Sequence, residues 1–198
     1  MDYDGDTSRI SLLKVLVKYS YRCMPEGQEF TLASGEKSQH YVDVRRTALR
    51  AQGANLLAYN IYDLIAHGIF GGINGVAGVA LGGCPLATAT SMYALSDQRN
   101  LDVIYVRKEA KTHGSKRLVE HPYEDEYVKG KAFVLLEDVV TTGDSVAFAI
   151  VELEKLGIDV RGVIAVVDRR PTSSTHLGGK QFRALTTLAE IIETSKSA

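Results

Sequence analysis

The chain has little cysteine: Cys23 and Cys84 are the only two in 198 residues. Two cysteines cannot build a disulfide framework, and their spacing suggests no metal site. A reduced, cytoplasmic setting is therefore the default expectation. Any apolar run of membrane-spanning length is also missing, and the first residues, MDYDGDTSR, are too acidic for a signal peptide. Neither sign of charge is in excess. Lys and Arg number 23 against 24 Asp and Glu, a formal net charge of -1, so nothing draws the whole molecule to nucleic acid or to an anionic membrane. The glycine–lysine P-loop of triphosphate-binding proteins is absent, and so is a dinucleotide fingerprint between a strand and a helix. No internal repeat or low-complexity tract stands out. What remains is a length suited to one domain, residues 1–198, with one sizeable core.

The most informative stretch is VLLEDVVTTGDS, Val134 to Ser145. An apolar run ends in two adjacent carboxylates, Glu137 and Asp138. After Val139 and Val140 comes a small loop, Thr141-Thr142-Gly143-Asp144-Ser145, and then an apolar-periodic segment from Val146 to Leu156. This reads as a buried strand, a turn of small hydroxyl residues and a helix start. Exposed N–H groups at a helix start, flanked by Thr and Ser hydroxyls, suit a phosphate dianion. The two acids do not; they suit the vicinal hydroxyls of a ribose, or a cation shared with it. Together they read as a ribose-5-phosphate site. An ordinary strand–turn–helix capped by Asp144 or Ser145 accounts for the loop, but not for paired acids at a strand's carboxyl end.

Elsewhere the pattern alternates between helix and strand. Helices are expected over Ile10–Tyr21, Thr47–Ala66 and Pro85–Leu95, the last with proline in its first turn. Short extended segments are expected at Glu29–Leu32 and Tyr41–Val44. Strands are expected at Gly75–Ala80, Leu101–Val106, Ala132–Leu136 and Val160–Val167. Runs as apolar as VLL and VIAVV suit parallel strands covered on both faces. The fold class is thus α/β, a doubly wound, mostly parallel sheet flanked by helices, with ligands outside the carboxyl ends of its strands. Between Arg107 and Lys131 the apolar period lapses. Arg107, Lys108, Lys111, His113, Lys116 and Arg117 gather there around Gly114. A long irregular segment with this local charge reads either as a solvated surface loop or, beside a polyanionic substrate, as a lid.

The Val134–Ser145 stretch resembles the phosphoribosyl-diphosphate (PRPP) signature of the type I phosphoribosyltransferases. Two further motifs sharpen the resemblance. FTLASGEKSQHYVD, Phe30 to Asp43, is similar to the N-terminal signature of the orotate phosphoribosyltransferases, and RKEAKTHGSKRLVE is similar to their catalytic loop. The three agree in order and spacing, and similarity extends from about Ile10 to Arg170.

The resemblance implies a small N-terminal hood, residues 1–45, on the α/β core. It implies transfer of phosphoribose from PRPP to orotate, with Mg²⁺ carried by PRPP rather than by a protein site, in a homodimer that shares its active sites. Lys111 and His113 would meet diphosphate oxygens, with Arg107 and Lys108 nearby. Glu137 and Asp138 would hold the ribose hydroxyls, with Asp138 counted beside Lys111 and His113 as catalytic. Val139 to Ser145 would complete the PRPP site. Arg169 would contact orotate, with Thr141 and main-chain groups around His40 and Tyr41; equally, Arg169 reads as a surface residue in an Asp-Arg-Arg turn. The alternatives are a transferase for a purine or other base, and a non-catalytic regulator that keeps the PRPP fold. Two departures stand out. Ala33 and Gly82 occupy positions where some relatives carry lysine. Arg45 and Arg46 either replace some of that charge or serve at an interface or the surface.

Overall fold

The apolar runs in the middle of the chain form parallel strands, as their composition requires. The computed structural model describes residues 5–31, 35, 37–109, 117–124, 126–171 and 174–197, with residues 5 and 6 as backbone alone. Helix α1 (Gly5–Tyr19) leads into four short strands, β1 (Tyr21–Cys23), β2 (Phe30–Thr31), β3 (Lys37–Ser38) and β4 (His40–Val42). Helices α2 (Arg45–Ala48) and α3 (Ala51–Ala66) follow, then β5 (Gly75–Val79), α4 (Gly83–Ser96), β6 (Asp102–Val106) and β7 (Val119–Glu120). The second half runs through β8 (Ala132–Val140), α5 (Asp144–Lys155), β9 (Asp159–Asp168), β10 (His176–Leu177), β11 (Lys180–Thr187) and α6 (Leu188–Lys196).

Among the described residues the main sheet has seven strands in the order β10-β11-β9-β8-β5-β6-β7. Strands β11, β9, β8, β5 and β6 are parallel neighbours, and β10 and β7 pair antiparallel at the two edges. Two small antiparallel pairs, β1 with β4 and β2 with β3, stand outside it. Both faces of the sheet are covered. Val134, Leu136, Ile164 and Val166 pack with residues of α1, α3, α4 and α6, including Leu12, Leu57, Leu86 and Ile191. The alternate residues Phe133, Leu135, Val163 and Ala165 pack with Val146, Ala149 and Leu153 of α5. This is the doubly wound arrangement expected from the sequence, and the four expected core strands are β5, β6, β8 and β9. No helix among the described residues is long and apolar enough to cross a membrane.

Several boundaries differ from expectation. The first helix ends at Tyr19, because Tyr21–Cys23 pairs with His40–Val42. The helix expected over Thr47–Ala66 is two helices, with Arg50 extended between them. The corner is tight: a Cβ on Gly53 would stand 2.2 Å from the Thr47 carbonyl oxygen. The segment from Arg107 to Lys131 contributes β7 and the fully buried Val128. Strand β11 and helix α6 were not anticipated.

Candidate active site

Strand β8 is longer than its apolar run. It continues through Glu137, Asp138 and Val139 to Val140, which aligns with Asp168 of β9. The acid pair therefore lies inside the strand rather than at its end, because β9 supplies a ladder partner beyond it. Successive strand residues face opposite ways. Leu135 belongs to the α5 side and Leu136 to the α3/α4 side, but Val139 packs on the latter side and Val140 on the former, so the alternation reverses across the acid pair and both carboxylates line one cavity. Asp138 also lies against the start of α4: a Cβ on Gly82 would stand 2.1 Å from one of its carboxylate oxygens.

Glu137 is 5% exposed, and its Oε2 has no hydrogen-bond partner among the described residues. Burial, reinforced by the adjacent Asp138, pushes its carboxyl up to about 9, and Lys108 opposes the shift. A buried acceptor with no partner is costly unless it is protonated or a ligand supplies the donor.

The turn after β8 is a small concavity of about 30 Å³ lined by Glu137 and by Val139 through Val146. Gly143 takes φ +92° at the N-cap of α5, a left-handed conformation that favours glycine. Here a Cβ would also meet Leu177 at 2.5 Å. Neither Asp144 nor Ser145 is the cap; Asp144 opens the helix and accepts from the Thr142 hydroxyl at 2.8 Å. Small hydroxyl residues around a glycine turn at a helix N-terminus form an anion-binding nest.

Beside this nest is a larger cavity of about 230 Å³. Glu137, Asp138, Val139, Thr141 and Ser145 come to it from the β8–α5 side, and Arg169 from the end of β9. Lys108 enters beyond β6, and Tyr41, Val42, Asp43 and Arg45 close it from the N-terminal part. Arg169 resolves one open alternative in position: it lines the cavity, while its neighbours Asp168 and Arg170 pair with each other at 2.8 Å. The Arg169 main-chain N–H donates to the Val140 carbonyl at 2.9 Å. Its guanidinium donates to the His40 carbonyl at 3.3 Å and to the Ser38 hydroxyl at 3.5 Å. His40 thus contributes its main chain toward the cavity, whereas its ring Nδ1 bonds the Tyr21 hydroxyl at 2.7 Å.

Arg107 is paired with Glu120 at 3.2 Å and is not among the residues lining this cavity. Lys111 and His113 lie outside the described residues, as does Ala33. Among the described residues no cluster of three or more His, Cys, Asp or Glu side chains could hold a metal ion. Asp43 and Arg45 also line the cavity: the N-terminal motif gives Asp43 no role, and the sequence leaves Arg45 between a substrate contact and an interface or surface residue. The alternation of buried Val42 and Val44 with Asp43 and Arg45 is the signal that could have found them.

Known structures share this architecture. A phosphoribosyltransferase from Corynebacterium diphtheriae superposes with a TM-score of 0.72 at 26% identity, covering 93% of this chain and 98% of that one. The orotate phosphoribosyltransferase of Mycobacterium tuberculosis H37Rv, solved in complex with PRPP, superposes at 0.70 with 28% identity over the same shares. The fold is that of a type I phosphoribosyltransferase. No protein-family model matches the chain. The orotate phosphoribosyltransferase of Sorangium cellulosum (strain So ce56) is 40% identical over 169 residues, 85% of this chain and 84% of that protein. The chain belongs to the orotate phosphoribosyltransferases.

Proposed function

We propose that the protein transfers the 5-phosphoribosyl group from PRPP to orotate, giving orotidine 5′-monophosphate and diphosphate. The observation that carries this reading is a cavity lined by an acid pair, Lys108 and Arg169, adjoining a phosphate-type nest with which it shares Glu137, Thr141 and Ser145. Each part suits one part of the two substrates. Amides and hydroxyls of Thr141 to Ser145 suit the 5-phosphate. Glu137 and Asp138 suit the ribose hydroxyls, which would give the Glu137 Oε2 its missing donor. Arg169, fixed by the His40 carbonyl, suits the carboxylate of orotate, with Thr141 and Tyr41 beside it.

Displacement at the anomeric carbon leaves positive charge on the ribose ring and sends negative charge onto the departing diphosphate. Oriented cations at that diphosphate lower the barrier because their attraction grows as the charge develops. Lys108 is one such group, and we assign Lys111 and His113, with Arg107 nearby, to the same task. Mg²⁺ carried by PRPP would neutralise part of the same charge.

We also read the chain as one domain, with its N-terminal residues as a hood, and the active unit as a cytoplasmic homodimer that shares its sites. The exposed apolar side chains Leu49, Leu81, Met92 and Leu95 on the α2–α4 side support a partner surface. The unpaired Cys23 and Cys84 suit a reducing compartment. The test of the reaction is the loss of orotate absorbance on adding PRPP and Mg²⁺, with adenine, hypoxanthine and uracil as alternative acceptors. Turnover with orotate alone is expected. Turnover with a purine, or PRPP binding without turnover of any base, defeats the reading.

A further inference from the structure

We propose that Arg45, held by Asp43, is a cationic contact for the diphosphate of the phosphoribosyl donor. The proposal rests on the transferase reading above and deepens it.

Two anchors fix where Arg45 lies. Val42 is 5% exposed and Val44 fully buried, so the chain leaving β4 is held in the core. Asp43 and Arg45, both partly exposed, line the cavity beside Val42. Asp43 is itself fixed, its N–H donating to the Ser20 carbonyl at 3.0 Å. Its carboxylate then takes Arg45 in a two-point pair, from Nε at 2.8 Å and from Nη2 at 3.2 Å. This grip sets the plane of the guanidinium and directs its Nη1 end away from Asp43. A planar fork held on one edge presents its remaining donors in a fixed geometry, which suits phosphate oxygens. Arg46, by contrast, is exposed and outside the cavity.

The anion it meets follows from the two ends of the donor. A phosphoribosyl diphosphate has two anionic ends. The nest at α5 suits the 5-phosphate. The diphosphate end must then lie away from the nest, on the side of the cavity where Asp138 meets Gly82 at the start of α4. Arg45 belongs to this side, since the Asp138 charge contributes to holding its proton after the dominant pairing with Asp43. Gly82 itself offers no cation beside the Asp138 carboxylate. Lys108 lines the cavity as one cation for the diphosphate, and Arg45 is positioned to supply a second. Arg169, at the end of β9 and tied to β3 and β4, serves the other substrate.

Titration calorimetry in Mg²⁺ tests the assignment with PRPP, inorganic diphosphate, ribose 5-phosphate and orotate as separate probes. Arg45→Gln is expected to weaken PRPP and diphosphate about tenfold, as for loss of a charge-assisted contact. Ribose 5-phosphate and orotate should stay within about twofold. Arg45→Lys should recover part of the loss, and it supplies the reading if the glutamine variant does not fold. Arg46→Gln should change nothing beyond about twofold. An unchanged PRPP affinity, an equal loss for ribose 5-phosphate, or a loss confined to orotate overturns the assignment. A wild-type protein that binds PRPP but turns over no base defeats the transferase reading instead, and the diphosphate comparison still decides Arg45.

Discussion

Glu137 is a carboxyl group in a place that disfavours carboxylates. Its side chain is buried beside Asp138, and burial is the main reason its proton is held up to about 9. An unfolded glutamate gives up its proton near 4.5. Between these values the folded chain binds more protons than the unfolded one, so this group's contribution to stability is full below about pH 4.5 and is lost as pH rises toward 9. Glutamine does not titrate and escapes that loss. In thermal melts without ligand, Glu137→Gln is therefore expected to gain on wild type as pH is raised from about 5 to about 8.5. A difference in Tm that stays constant across the range sinks the idea. The same substitution should weaken PRPP, since the position is kept acidic at a cost in stability only if the acid does something for the ligand. Asp138 is the complementary case. Asp138→Asn replaces a two-oxygen acceptor with an amide that accepts through one, so PRPP binding should fall while orotate binding changes less. Equal weakening of both ligands would point to damage along β8.

At the scale of elements, the sequence signals a strand clearly where packing is two-sided and weakly where it is not. Strands β8 and β9 are buried on both faces, and their apolar runs announce them. Strand β11, KQFRALTT, has only Phe182, Leu185 and Thr186 buried and shows neither an apolar run nor a clean alternation. Helix α6 is short, and Ile191 is its one buried residue. It does carry a readable start signal, Thr187 with Glu190 three residues on. The structure forms both halves of that capping box: the Thr187 hydroxyl accepts from the Glu190 N–H at 3.2 Å, and the Glu190 carboxylate accepts from the Thr187 N–H at 2.8 Å. Because α6 packs on α1, with Arg9 paired to Glu190, the cap also holds the N-terminal helix. Thr187→Ala should lower stability by about 1 kcal/mol, read as a shift in the denaturation midpoint at unchanged slope. No shift would mean that packing alone holds α6.

At the scale of the whole molecule, what was legible of the site is the part contiguous in the chain. Glu137 through Ser145 could be assigned as a unit, because strand, acids and nest follow one another along a single segment. Asp43 and Arg45 reach the cavity from about a hundred residues earlier in the sequence, and nothing local to YVDVRR says what lies across from it. The same limit applies to any residue that a second subunit would supply, and subunit exchange between two inactive variants tests for one directly. The segment holding Lys111 and His113 is long and basic enough to leave its own subunit. Lys111→Ala should remove a charge aimed at the leaving diphosphate, worth ~3 kcal/mol in the transition state, and Asp138→Ala should remove the ribose contact. Each variant alone should be nearly inactive. Mixed in equal amounts and allowed to exchange subunits at random, about half of the two-fold dimers become heterodimers. If each loop serves its neighbour, a heterodimer has one site with both defects and one with neither, so activity should climb toward about a quarter of wild type. If each loop closes over its own subunit, every site keeps one defect and the mixture stays as inactive as its components. That result rejects shared sites even for a protein that sediments as a dimer, since association through Leu49, Leu81, Met92 and Leu95 would then join two self-sufficient subunits.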